Sequence, residues 1–312
     1  MTGPVVRVAA AVILRPDGNV LLAQRPVGKA YEGYWEFPGG KLEPGETPRA
    51  ALDRELAEEL GLTVVRASPW LVQRYVYPHA HVELHFFRVF EWRGEPHGHD
   101  NQAFAWQVPG RFDVAPLLPA NTLVLRALLL PPVYGITMAG ALGEDAFLAR
   151  AETALASGLR LVQFREKDWS ESRQHALCNA LIARADAHGA RVLLNGSVEN
   201  ARAWGCAGVH WTSAALAAAD GRPQDLLCAA SCHSDAELGR AGELGLDFVV
   251  LGPVQPTPTH PNAMPLGWNR FSDIAVDAML PVFALGGLTR GDLDMAIAHG
   301  AHGIALQRDA WR

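Results

Sequence analysis

The stretch GKLEPGETPRAALDRELAEELGL, Gly40 to Leu62, decides the reading of the N-terminal part of the chain. Its residues stand at fixed intervals. Gly40 is followed after five residues by Glu46, and after seven more by Arg54 and Glu55; then come Leu56, Glu58, Glu59, Gly61 and Leu62. Ala50 to Leu60 is rich in Ala, Leu, Glu and Arg, which form helices readily. Thr47 offers an N-cap and Pro48 suits the first helical position. Gly61 stops the helix where a left-handed residue costs little. On that helix Glu55, Glu58 and Glu59 stand at i, i+3 and i+4 and share one face. Two readings of the face compete. One is a solvated acidic surface. The other is a set of hard oxygen donors for Mg²⁺ or Mn²⁺, whose remaining positions go to water and phosphate oxygens.

Working outward, 312 residues favour two domains over one. The chain is 49% hydrophobic, which is enough for ordinary cores. A net charge of −6 gives no nucleic-acid footprint. No apolar run reaches membrane-spanning length, and the first residues lack a signal-peptide pattern, so no membrane partner is expected. Cys178, Cys206, Cys228 and Cys232 lack CxxC spacing and read as reduced core thiols of a cytoplasmic protein.

The first domain, residues 1–130, is expected to open with two strands, Val5 to Leu14 and Val20 to Ala23, around the turn Arg15 to Asn19. A second strand pair, Tyr75 to Tyr77 and Val82 to Trp92, follows the helix, with apolar positions alternating at Val82, Leu84 and Phe86. Trp106 to Val108 is another short strand, and Leu123 to Leu130 reads as a closing helix. Pro131-Pro132 marks the boundary.

The spaced residues of Gly40 to Leu62 match the Nudix box, G-x5-E-x7-R-E-U-x-E-E-x-G-U with U aliphatic, at every defined position. Seven of those positions demand one residue type, so chance agreement at a given start is on the order of 10⁻⁸ to 10⁻⁹. The match tips the acidic face toward metal. Residues 5 to about 129 further resemble the MutT branch of that family, the 8-oxo-dGTP pyrophosphohydrolases. The signs are Ala23-Gln24-Arg25, Trp35-Glu36-Phe37-Pro38-Gly39-Gly40-Lys41, Trp92-Arg93-Gly94-Glu95-Pro96 and Leu118-Pro119-Ala120-Asn121. The resemblance implies an α/β/α sandwich with a mixed sheet and hydrolysis of a nucleoside triphosphate, with 8-oxo-dGTP as substrate and Mg²⁺ or Mn²⁺ as cofactor. It implies metal ligation by Glu55, Glu58 and Glu59 with the Gly39 carbonyl, and a bracing charge pair of Glu46 and Arg54. Glu55 or Glu59 would also steer the attacking water. Asp100 falls where relatives place a further acidic ligand, on a shorter arm than their Glu. Asn121 would read the oxidised purine, since an amide donates and accepts at once. Arg25 and Phe37 would line the nucleotide pocket. Plainer readings stand beside these: a helix cap for Asn121, a surface ion pair for Arg25, core packing for Phe37 and a turn for Asp100.

In the second domain, residues 133–312, short apolar strands alternate with helical stretches such as Glu144–Ser157 and Ser170–Ala187, which implies βα units and a parallel sheet. Eight strands are expected: Val133–Thr137, Leu161–Phe164, Val192–Asn195, Gly208–Trp211, Leu227–Ser231, Phe248–Leu251, Val282–Leu285 and Gly303–Leu306. Eight such units suggest a (β/α)₈ TIM barrel with its site at the C-terminal ends of the strands. Those ends carry Gln163, Arg165 and Lys167, which alternate and so share a face, then Asn195-Gly196, Ser231-Cys232-His233, Gly252-Pro253 and Gly286-Gly287. A loop of two glycines suits a backbone cradle for phosphate.

The order of these segments resembles the thiamin phosphate synthase/TenI family over residues 133 to about 312, which implies a thiamin-related phosphate ligand. The chain departs from the synthase pattern at four places. Gly196 stands where the synthases carry the Asp of an Asn-Asp pair, and Ala215 near their second metal-binding Asp. Thr259-His260 replaces a Thr-Lys, and Gln307-Arg308 a phosphate-binding Ser. Without its magnesium carboxylates a synthase loses the main means of stabilising a pyrophosphate leaving group. Asn195-Gly196 with His233 looks instead like the TenI branch, the thiazole tautomerases, where His233 would move a proton. Two alternatives stay open. The whole chain is a bifunctional thiamin-pathway enzyme whose first domain acts on a thiamin-related pyrophosphate, or the barrel is a phosphate-ligand sensor or scaffold without catalysis.

Overall fold

The computed structural model describes residues 5–98, 102–257 and 264–312. Asp100 and Thr259-His260 lie outside them. The chain forms two compact units, residues 1–129 and 130–312.

In the first unit, strand β1 (Val5–Ile13) runs through the centre of a mixed four-stranded sheet. Its neighbours are β4 (Gly39–Lys41), antiparallel, and β6 (Ala80–Arg93), parallel, from Val5 opposite His81 to Ile13 opposite Val89. The edge strand beside β6 is β5 (Thr63–Tyr77), far longer than the Tyr75–Tyr77 segment that the sequence suggests. Its polar residues and Pro69 mask the alternation, and three register shifts against β6 break the two-residue period. A second, antiparallel sheet places β2 (Val20–Gln24) between β3 (Trp35–Glu36) and β7 (Phe104–Gln107). The expected pairing of β1 with β2 is therefore corrected. They meet only at the Leu14–Val20 bridge and then part into different sheets. The cause is that β1, buried on both faces from Ala9 to Ile13, takes both its neighbours from later in the chain.

Helix α1 (Pro48–Leu60) packs Ala51, Leu52, Leu56 and Leu60 under one face of the main sheet, against Ala9, Ala11 and Ile13. Thr47 caps it by accepting from the Ala50 N–H, and Gly61 ends it at φ 65°. Helix α2 (Thr122–Ala127) packs Val124 and Ala127 on the opposite face, against Ala10 and Val12.

The second unit is a closed barrel of eight parallel strands among the described residues: β8 (Val133–Ile136), β9 (Leu161–Phe164), β10 (Arg191–Leu194), β11 (Gly208–Trp211), β12 (Leu227–Cys232), β13 (Phe248–Leu251), β14 (Val282–Leu285) and β15 (Gly303–Leu306). It closes where β15 pairs with β8. Seven of these strands have four residues and β12 has six, and alternate residues along them face opposite sides. Tyr134, Leu161, Leu193, Phe248 and Phe283 fill the interior, while Val162, Phe164, Val192 and Val249 face the surrounding helices. The four cysteines are free and buried, with Cys178 and Cys206 Sγ atoms 3.7 Å apart. Among the described residues no helix is long and apolar enough to cross a membrane.

Candidate active sites

In the first unit, the loop between β4 and α1 is tied by one side chain. Arg54 donates from Nε and Nη2 to the two Glu46 oxygens, each at 3.0 Å, and from Nη2 to the Lys41 carbonyl at 3.0 Å. Glu46 also accepts from the Glu43 N–H at 2.9 Å. The guanidinium holds the Glu46 carboxyl below the usual carboxylate range. Arg54 Nη1 then reaches Glu55 at 2.8 Å and Glu58 at 3.3 Å. One arginine thus ties the loop to the acidic helix face.

That face divides. Glu55 and Glu59 line a cleft of about 520 Å³ with Gly39, Gly40, Arg25 and Glu36. Glu58 lies outside it, its side chain 62% exposed and turned toward Arg54. Glu59 accepts from the Gly39 N–H at 3.3 Å. Burial first, and then the Glu55 charge, raise its carboxyl to about 7. The strand comes this close only because it is glycine: a Cβ on Gly40 would lie 2.0 Å from the Glu55 carboxyl carbon, and one on Gly39 would lie 2.1 Å from the Ala9 oxygen.

This donor set fits a hard divalent cation. Two mutually repelling carboxylates face a cleft beside backbone that can approach without a side chain. Among the described residues no three His, Cys, Asp or Glu side chains converge into a cage.

The remaining expected pocket residues scatter. Arg25 lines the cleft, bound to Glu36 at 2.5 Å and to the Ala30 carbonyl at 2.7 Å. Phe37 is 3% exposed and packs edge-on against Phe86 in the core. Asn121 is 2% exposed and caps no helix with its side chain; its Nδ2 is buried without a hydrogen-bond partner. Sequence reasoning missed Lys29, Glu36 and Tyr77 on the cleft wall. The charged Glu36 between aromatic Trp35 and Phe37 was the one available signal, and burial raises its carboxyl despite Arg25.

In the barrel, one cavity of about 650 Å³ at the C-terminal strand ends gathers Gln163, Arg165, Lys167, Asn195, His233 and the Gly286-Gly287 pair. Burial lowers the pKa of Arg165, and the Arg165 charge lowers that of Lys167, so two cations press on one another there. Gly286 and Gly287 adopt φ 107° and 70°, and a Cβ on either would lie 2.5–2.6 Å from the loop after β13. His233 Nδ1 is 2.7 Å from the Gly252 carbonyl, which can only accept, so Nδ1 donates there and fixes the ring.

Asn195 donates to the His210 carbonyl at 3.0 Å. His210 itself was missed, although a polar residue inside the short strand Gly208–Trp211 was a signal. It is fully buried between Ser231 Oγ at 2.9 Å and Tyr134 Oη at 3.2 Å. Glu166 is committed elsewhere, accepting from the Ala139 and Gly140 N–H groups. Gly196 and Ala215 are exposed. Arg308 lines the cavity, while Asp309 pairs with Arg312.

A carboxylate-lined cleft on a mixed sheet and a cavity lined by Arg165, Lys167 and Arg308 on a parallel barrel are the two candidate sites. The NUDIX domain model matches residues 4–125, and the thiamine monophosphate synthase model matches residues 133–310. The chain belongs to the Nudix family through its first unit and to the thiamine monophosphate synthase/TenI family through its second. It is 36% identical over 129 residues to an 8-oxo-dGTP diphosphatase of Haemophilus influenzae, covering 41% of this chain and 95% of that protein. It is 40% identical over 130 residues to a CTP pyrophosphohydrolase of Escherichia coli, covering 40% and 91%. It is 32% identical over 162 residues to a thiamine-phosphate synthase of Thioalkalivibrio sulfidiphilus, covering 51% and 77%. The first unit is a Nudix hydrolase.

Proposed function

We propose that the first unit cleaves a nucleoside triphosphate, 8-oxo-dGTP in particular, to the monophosphate and pyrophosphate. The observation that carries this is the pairing of Glu55 and Glu59 in one cleft whose backbone is glycine. Glu55 and Glu59, with the Gly39 carbonyl, would hold Mg²⁺ or Mn²⁺. Such an ion neutralises diphosphate charge and acidifies a bound water. Arg54 fixes Glu55 and the loop in place. Glu55 or Glu59, facing the cleft, would also steer the attacking water. The buried, unpartnered Nδ2 of Asn121 is a donor available to a base. In support, an 8-oxo-dGTP diphosphatase is among the relatives of this unit, and the CTP pyrophosphohydrolase makes the base the point to test.

The test is a panel of 8-oxo-dGTP, dGTP, dATP and CTP with Mg²⁺. We expect preference for 8-oxo-dGTP, and loss of that preference in Asn121→Ala beyond any loss of basal turnover. A wild-type preference for CTP, or equal losses for all bases in the variant, refutes the assignment.

For the barrel we propose a phosphate-ester site without metal-dependent coupling. Arg165, Lys167 and Arg308 line its cavity, while Gly196 and Ala215 replace the expected carboxylates and Glu166 is occupied. The His233 ring, held through Nδ1 on the cavity wall, supports a second reading, proton transfer of the tautomerase kind. Coupling of a pyrimidine pyrophosphate to a thiazole phosphate should be absent in the full chain, and robust Mg²⁺-dependent coupling overturns the proposal. If thiazole isomerisation is seen, His233→Ala should abolish it; an unchanged rate removes His233 from the mechanism.

A further inference from the structure

We infer that the Tyr77 hydroxyl is a second base-reading donor of the nucleotide cleft, acting beside Asn121 to select bases that present carbonyl oxygens. This deepens the hydrolase reading above and rests on it. Tyr77 is 8% exposed and lines the same cleft as Glu55 and Glu59. Its ring is held by Tyr75 at 4.6 Å, Tyr31 at 5.2 Å and His79 at 5.5 Å between centroids, the last stacked at 27°. The hydroxyl therefore has a fixed position. It is buried, its oxygen faces the Ala120 N–H, and its own O–H has no acceptor. It lies toward the backbone of Ala120, the residue before Asn121, whose Nδ2 is likewise buried and without a partner.

Buried polar groups in native proteins are almost always hydrogen-bonded, and an exception asks for an explanation. Tyr77 lines the cleft and Asn121 follows the Ala120 backbone that Tyr77 faces, and the two exceptions have the same character. An amide –NH₂ only donates. Burial pushes the Tyr77 phenol up to about 12, so at neutral pH it keeps its proton and donates too. Two donors want two acceptors. A 6-oxopurine, and an 8-oxo-6-oxopurine still more, offers carbonyl oxygens on its edge. A 6-aminopurine sets an N–H₂ donor against them and leaves both donors unmet, which is the arrangement that discriminates sharply.

Tyr77→Phe removes the hydroxyl and keeps the ring stack. In the full chain with Mg²⁺, kcat/KM for 8-oxo-dGTP and dGTP should fall roughly tenfold or more. The value for dATP should stay within about twofold, with the thermal melt unchanged. A loss of equal size for all three nucleotides means the side chain acts through packing and overturns the inference, as does unchanged selectivity. Failure of the underlying reading looks different: wild-type protein would then show no preference among the nucleotides before any substitution is made.

Discussion

His210 gives the barrel a stability that acid should remove, and the size of the loss follows from its surroundings. The ring is fully buried between Ser231 and Tyr134. Burial, and then the Arg165 charge, depress its pKa from 6.5 to about 3. The unfolded chain therefore takes up a proton below pH 6.5 that the folded barrel refuses. A depressed pKa contributes stability that is whole above 6.5 and is lost as pH falls toward 3. Between pH 6.5 and 4 the loss is about 3 kcal/mol, at roughly 1.4 kcal/mol per pH unit. His210→Asn keeps a polar side chain and removes the titration. The variant should be less stable at pH 7, and its gap to wild type should narrow by about 3 kcal/mol by pH 4. Hydrogen exchange followed on peptides spanning β10 to β12 reads this in the barrel alone, whatever the first unit does. Parallel stability profiles for the two proteins between pH 7 and 4 would refute the reasoning, because the folded His210 would then titrate as freely as the unfolded one.

The acidic helix face should behave unequally. Glu59→Gln should lower kcat at saturating Mg²⁺ by about 100-fold or more, as expected for loss of a ligand charge in the cleft, whereas Glu58→Gln, exposed and turned to Arg54, should cost less than about tenfold; equal effects in steady-state assays would mean that the two side chains share one role. Arg54→Lys keeps the charge but loses the two-point contact with Glu46 and the reach to Glu55. It should raise the Mg²⁺ concentration needed for half-maximal turnover roughly tenfold, and an unchanged Mg²⁺ titration would show that Arg54 does not position Glu55.

How much of this was legible beforehand depended on whether the signal was local. The spacing from Gly40 to Leu62 specified helix α1, its Thr47 cap and its Gly61 stop, because propensity and capping act within a few residues. The short apolar runs from Val133 to Leu306 specified the barrel for the same reason: a strand buried on both faces shows as a short continuous apolar segment. Sequence also put Gln163, Arg165, Lys167, Asn195, His233, Gly286 and Gly287 at strand ends, and parallel closure brings those ends to one cavity.

Tertiary structure alone decided the rest. It separated Glu58 from Glu55 and Glu59, because a helix face about 100° wide can be half in a cleft and half in solvent. It sent β1 and β2 into different sheets and lengthened β5 past what its alternation showed. It left Tyr77 and Asn121 with unspent donors 44 positions apart in sequence. The sequence by itself determined the elements and the residue types that chemistry needs. Which of those side chains face one another, and which are paired or left wanting a partner, is a property of long-range packing, where desolvation and proximity are set by residues far away in the chain.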